Sequence, residues 1–333
     1  MIKAFVFGKF LPFHNGHKAL IEFALSKCEF LTILICCSDK ENISDYIRSS
    51  WIQKTFEKEK SIEIRTFNYL ESELPNTSLP SKRVSKAWAS IFKKLFPDYS
   101  LLITSEEYGD YVANFINIQH IAFDIHREII PVSATAFRND IYTNWKYLPD
   151  SVKPDFVIKI VILGTESTGK TTLAINLSKY FNASLVLEAG REIISDSNSF
   201  SLEDLQKVAT EHAKSIELNI IADSPIVIID TDIYLTKSYS TFTFEKEFEI
   251  SADIFNTNKA DLYLYLNNDV AFIQDGTRMS KEKRDLLDIS HRKVLKENDI
   301  EIKEITGTYD ERFEKAVKHI NKLIEMKNQE IKM

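Results

Sequence analysis

The sequence predicts an α/β protein made of two doubly wound parallel-sheet domains, and three observations predict it. Short apolar, β-branched-rich runs alternate with longer helical patterns along the 333 residues. The alternation breaks once, at a stretch carrying two prolines, and then restarts. In each half the first apolar strand runs into a turn suited to phosphate. Ligands of open parallel sheets collect there, at the carboxyl ends of strands and facing helix N-termini.

The first half offers the strands IKAFVF (from Ile2), LTILICC (from Leu31), IEIRTF (from Ile62), LLIT (from Leu101) and IQHIAF (from Ile118). Helical patterns fall around Lys18 to Lys27, Ser81 to Phe96 and Ala136 to Trp145. YLPDSVKPDF, Tyr147 to Phe156, reads as a linker. The second half brings the strands FVIKIVILG, SLVLE, PIVIID, DLYLYL and IEIKEI. Its helices start at Lys170, run from Leu202 to Ala222, and begin again at Ser280 and Asp310. The expected domains are residues 1–150 and 156–330.

Composition narrows the function classes. The net charge of -7 argues against a general nucleic-acid binder, although local basic pockets stay open. Cys28, Cys36 and Cys37 have no metal-binding or disulfide spacing and read as reduced thiols. No apolar run reaches the roughly 20 residues that a bilayer requires, and the N-terminus does not read as a signal peptide. A cytoplasmic protein without membrane insertion is expected; a homo-oligomer is compatible with the sequence.

The sharpest local signal is GTESTGKTT, Gly164 to Thr172, lying between a strand and a helix. It satisfies G-x-x-x-x-G-K-[ST]. Gly164, Thr165, Glu166, Ser167, Thr168 and Gly169 supply a backbone that wraps phosphate oxygens. Lys170 reaches the β/γ-phosphates, the Thr171 hydroxyl can ligate magnesium, and Thr172 completes the turn. Asp230 and Asp232, ending PIVIID and following it, suit magnesium ordering and activation of an acceptor hydroxyl, with a helix cap as the bland alternative. LEAGRE places Glu188 and Arg191 where a small-molecule kinase holds its acceptor. In QDGTRMSKEKRD, Arg278 follows Asp275 and Gly276 as a lid over triphosphate would require; a solvated helix face is the alternative. ATP and Mg2+ are the implied cofactors.

The other turn is GKFLPFHNGH, Gly8 to His17. Gly8 allows close backbone approach, Pro12 stiffens the loop, and Gly16 permits a tight start to the helix. His14 and His17 then lie near the helix's positive end. Downstream, VSATAFR offers Ser133, Thr135 and Arg138 at a second helix start, a grouping of hydroxyls and guanidinium suited to phosphate.

These residues resemble the HxGH nucleotidyltransferase superfamily, with VSATAFR as its S-x-T-x-x-R element. The resemblance implies a Rossmann-like domain in which a substrate phosphate attacks the α-phosphorus of ATP directly. His14, His17, Lys9 and Arg138 would then share the catalytic work, with Gly8, Phe10, Gly16, Ser133 and Thr135 holding the nucleotide. An HxGH domain followed by this P-loop is similar to the bifunctional NadR-like family. That family joins a nicotinamide-mononucleotide adenylyltransferase to a ribosylnicotinamide kinase. SEEYGD, FDIHREIIPVSATAFR, ESTGKTTL, EAGRE, DTD and DGTR carry the likeness. It implies phosphorylation of nicotinamide riboside in the second domain and adenylylation of the mononucleotide to NAD in the first. Asp124 and Arg127 fall on a substrate-contacting D-x-x-R, or form a surface ion pair. Trp88, with Trp51 behind it, is the candidate ring to stack on pyridine, or belongs to a helix's apolar face. Because the first strand begins at Ile2, no DNA-binding segment is expected ahead of it, and the partners are small molecules. A bifunctional coenzyme A synthase and a non-catalytic nucleotide sensor are the rival readings.

Overall fold

Among the described residues, short runs, most of them rich in Ile, Val, Leu and Phe, become ten parallel strands, five in each of two sheets. Such runs fit because strands covered by helices on both faces are apolar on both faces. The computed structural model describes residues 1–76, 81–194, 199–246, 249–272 and 279–332. The chain divides into two compact units, residues 1–153 with 328–333, and residues 154–327.

Unit 1 contains β1 (Lys3–Gly8), α1 (Asn15–Leu25), β2 (Phe30–Ser38), α2 (Asp45–Thr55), β3 (Ile62–Tyr69), α3 (Lys82–Leu95), β4 (Leu101–Thr104), α4 (Gly109–Ile116), β5 (Gln119–Ala122) and α5 (Ala134–Asn139). The strand order is β3-β2-β1-β4-β5. The chain therefore leaves β1 in one direction and returns on its other side. This makes the carboxyl ends of β1 and β4 the switch point where a crevice opens. The core beneath is aromatic. α3 and its C-cap lay Phe92 and Phe96 on β1, with the Phe5 and Phe96 rings stacked at 4.3 Å and those of Phe7 and Phe92 tilted at 4.4 Å.

Unit 2 contains β6 (Ile158–Leu163), α6 (Lys170–Phe181), β7 (Ser184–Val186), α7 (Gly190–Ile193), α8 (Leu202–Ile220), β8 (Ile226–Asp230), α9 (Ile233–Phe244), α10 (Ala252–Asn258), β9 (Leu262–Leu266), α11 (Lys281–Glu297), β10 (Ile302–Ile305) and most of α12 (Tyr309–Lys332). The order β10-β9-β6-β8-β7 puts β6, the strand feeding the glycine-rich turn, in the centre. Register pairs Ile162 with Asp230, which sets that carboxylate level with the turn.

Three expectations change. The helix expected from Ala136 to Trp145 is α5 alone, because Asp140 leaves helical geometry and accepts the Tyr142 and Thr143 amides. The expected linker is no free tether: Leu148 and Val152 are buried, and Ser151 shares a 2.7 Å hydrogen bond with Thr55. Several helices beyond those expected also form, among them α2, whose buried face includes Arg48 as well as Trp51 and Ile52. That places Trp51 in the core and not at a ligand surface.

Candidate functional site

In unit 1 the chain turns from β1 to α1 around two imidazoles. His14 is the N-cap of α1, and its Nδ1 accepts the amides of Gly16 at 3.1 Å and His17 at 3.4 Å. An imidazole that accepts at Nδ1 carries its proton on Nε2 when neutral. Gly16 is required because a Cβ there would lie 2.9 Å from the His14 ring. The two rings stack at 3.7 Å, with Phe137 on the far side of His14 and Phe10 and Phe13 about His17. Burial, then the His17 ring and the Arg127 guanidinium, hold His14 well below the ordinary imidazole range. Burial and Arg127 lower His17 to about 3. Both are neutral donors at physiological pH.

The remaining groups converge unevenly. Arg138 donates to the Leu11 carbonyl at 3.4 Å and to Thr135 at 3.0 Å, which ties α5 to the histidine turn. Ser133 caps α5 by accepting the Ala136 amide. Asp124 accepts the amides of Glu128, Ile129 and Ile130, so its carboxylate shapes its own loop. Arg127 pairs with Glu106 at 3.2 Å, not with Asp124. Lys9, just past β1, meets Glu41 at 2.8 Å. Trp88 is a core residue of the buried face of α3 that also borders a cavity. Its indole donates to the Pro75 carbonyl within an aromatic cluster, yet it also lines a cavity of about 100 Å³ with Gly8, Lys9, Cys36, Tyr69 and Tyr108.

In unit 2 the glycine-rich turn is set by sterics. Gly164 has φ +137°, and a Cβ there would lie 2.7 Å from the Leu266 carbonyl oxygen. Gly169, at φ +88°, lies under the Tyr309 ring. Thr168 donates to the Thr165 carbonyl at 2.8 Å, and Thr165 donates to Asn268 at 2.5 Å. Glu166 accepts the Met279 amide at 3.0 Å. Lys170 starts α6, with Nζ 3.0 Å from the Thr165 carbonyl. The Thr171 hydroxyl donates to Asp230 at 2.5 Å, joining the turn to β8. Arg312 of α12 braces the turn from behind, donating to the carbonyls of Thr168, Asn267 and Gly307 and pairing with Asp269.

From this turn a cavity of about 430 Å³ continues past Ser167 and Thr172 to Glu188, Phe200, His212, Thr231, Asp232 and Tyr239. Thr231 has φ +75°, a left-handed conformation that is strained for a β-branched residue. The turn sends Asp230 towards Thr171 and Asp232 into the cavity wall. Asp232 caps α9 through Oδ1, while its buried Oδ2 has no hydrogen-bond partner among the described residues. Burial raises Asp232 to about 7 against those two amides. His212 of α8 donates from Nε2 to the Thr231 carbonyl at 3.1 Å and so supports the strained turn. Arg191 lies on α7. Arg278, with Asp275 and Gly276, lies outside the described residues.

Comparison with known proteins agrees with this architecture. Residues 159–312 match a family model described as an AAA domain, and residues 4–101 one described as the citrate lyase ligase C-terminal domain. The trifunctional NAD biosynthesis/regulator proteins NadR of Escherichia coli (strain K12) and Salmonella typhimurium (strain LT2) are each 28% identical to this chain, covering 96% of it and 82% of their own length. Over nearly its whole length the chain is similar to these NadR proteins. Crystal structures of NadR protein, one in complex with NR and one with NAD and AMP-PNP, share the fold. Each has a TM-score of 0.66 at 20% identity, covering 97% of this chain and 96% of the other. Sequence reasoning missed Glu41, Arg48, His212 and Arg312. None belongs to a motif, and the contacts that tie them to the two turns, with Lys9, Thr231 and Thr168, form only across the fold.

Proposed function

We propose that the chain is a bifunctional enzyme of NAD biosynthesis. Unit 2 phosphorylates nicotinamide riboside with ATP, and unit 1 transfers the adenylyl group of ATP to the resulting mononucleotide. The observation that carries this reading is the cavity leaving the unit 2 turn. It starts at the phosphate-binding lysine and ends among Glu188, Asp232, Phe200 and Tyr239. A wall of carboxylates and aromatic rings suits a ribosylated pyridine, whose ring carries a permanent positive charge. The names of the relatives point the same way.

For the kinase step, Lys170 and the backbone of the turn hold the β- and γ-phosphates. Thr171 and Asp230 offer hard oxygen donors 2.5 Å apart and fit a magnesium ion bound along with phosphate oxygens. When bound, that ion neutralises charge on the phosphates. Asp232 receives the acceptor hydroxyl's hydrogen bond on the free Oδ2. The hydroxyl oxygen bonds to the γ-phosphorus, its proton leaves, and ADP departs. In unit 1 a phosphate oxygen of the mononucleotide bonds to the α-phosphorus of ATP, and pyrophosphate leaves. His14 and His17 donate from neutral rings to the phosphate chain, while Lys9 and Arg138 supply positive charge. Trp88 closes the cavity that receives the pyridine.

Incubating the purified protein with ATP, magnesium and nicotinamide riboside, followed by chromatography, tests both halves. Nicotinamide mononucleotide and then NAD are the expected products. Turnover of pantetheine phosphate alone would sink the assignment.

A further inference from the structure

Lys9 does not stand alone at the mouth of the Trp88 cavity. Its ammonium lies 2.8 Å from Glu41 Oε1 and 3.7 Å from Glu71 Oε1. Glu41 is itself held from the other side: Oε2 pairs with Arg48 Nη1 at 2.6 Å and accepts the Ser38 amide at 3.0 Å. Arg48 is 1% exposed and has little freedom. Its Nε and Nη2 donate to the Ile43 carbonyl at 2.9 and 2.5 Å, and its Nη1 also reaches the carbonyl of Lys9 at 3.2 Å. One guanidinium thus fixes both the backbone of Lys9 and the carboxylate facing its side chain.

A buried ion pair such as Arg48–Glu41 is expensive in desolvation and a poor route to stability, since apolar replacements often do as well or better. A row of Arg48, Glu41 and Lys9 that ends at a ligand cavity calls for another account. Lysine carries about 2 kcal/mol of rotamer entropy, so an unheld ammonium would have to be ordered at the moment of reaction. We propose that Glu41, immobilised by Arg48, is a positioning residue that holds the Lys9 ammonium ready for the phosphate attacked or attacking in adenylyl transfer. The proposal rests on Lys9 acting in that reaction.

The test is a double-mutant cycle on the full chain, with adenylyl transfer assayed from ready-made nicotinamide mononucleotide and ATP. Glu41→Gln should lower kcat roughly 10- to 100-fold, the scale of misplacing a reacting group, with a smaller change in KM for ATP. In a Lys9→Ala background the same substitution should cost nothing further, because a positioning residue has no effect once its client is gone. Glu41→Asp keeps the charge beside Arg48 but withdraws it from Lys9. It should show a similar loss of kcat at an unchanged melting temperature, which covers the case in which Glu41→Gln fails to fold. Equal losses with and without Lys9 would mean that Glu41 acts only through the packing of Arg48. A faster Glu41→Gln enzyme would mean that Glu41 parks Lys9 away from substrate. Either result overturns the proposal. A parent enzyme that makes no NAD from the mononucleotide instead counts against the function proposed for unit 1, so the two failures are distinguishable.

Discussion

The two turns proposed to hold phosphate solve one problem with different parts. Unit 2 uses backbone amides, shaped by glycines at φ +137° and +88°, together with a buried lysine. Unit 1 uses two stacked imidazoles, one of which is also a helix cap. The difference inverts a common intuition about histidine. Burial keeps His14 and His17 neutral far below their ordinary titration range, so the histidine site is the one that ignores physiological pH. The pH-sensitive group lies in the other unit, where burial lifts Asp232 to about 7.

The largest expected effect separates the units outright. Lys170→Ala should reduce kinase turnover by at least about 10²-fold, while NAD still forms from supplied mononucleotide. Loss of adenylyl transfer in a folded Lys170→Ala protein would mean one shared nucleotide site. His17→Ala should do the reverse, lowering adenylyl transfer by about 10²-fold and letting mononucleotide accumulate from the riboside.

A pH series sharpens the contrast. Kinase kcat/KM for the riboside should fall about tenfold per unit below the Asp232 value of about 7, and Asp232→Asn should abolish that limb. Adenylyl transfer should show no limb near 6.5 from its histidines; finding one would break the comparison. Stability follows with mixed sign. Unfolded imidazoles take a proton near 6.5 while folded His14 and His17 do not, so these two destabilise the fold as pH falls below 6.5, His17 down to about 3. Asp232 opposes them. Its unfolded form releases a proton near 3.8 and its folded form keeps one to about 7, so its contribution weakens as pH rises between those values.

The smallest effect concerns the cap. His14→Asn retains an acceptor for the Gly16 and His17 amides, whereas His14→Ala does not. The two variants should differ by about 1 kcal/mol in stability, measured by denaturant melts, although both lose the Nε2 donor. Equal stability would remove the capping role.

Much of this was legible in the sequence because it is local. Most strands among the described residues lie in apolar runs, and both proposed phosphate turns lie within short stretches of chain. What stayed hidden depends on partners remote in sequence. Arg312 meets the carbonyl of Thr168 only because β10 returns α12 to the central strand. Lys9 and Arg48 come together only when β1 and β2 pair. α2 was missed for a different reason: its buried face includes Arg48, and apolar periodicity does not register a charged core residue. Trp88 was readable two ways because it faces two ways, packing in the aromatic core and also lining the cavity.

Arg312 also sets where the second half can be cut. A gene ending after Ile305 would keep every strand of that sheet and the whole of Gly164 to Thr172. It would still lose the Arg312 guanidinium that serves the carbonyls of Thr168 and Asn267. Left unserved in the interior, such carbonyls cost about 1–3 kcal/mol each. The smallest module worth grafting onto another protein therefore ends inside the final helix, past its first turn, and not at the edge of the sheet.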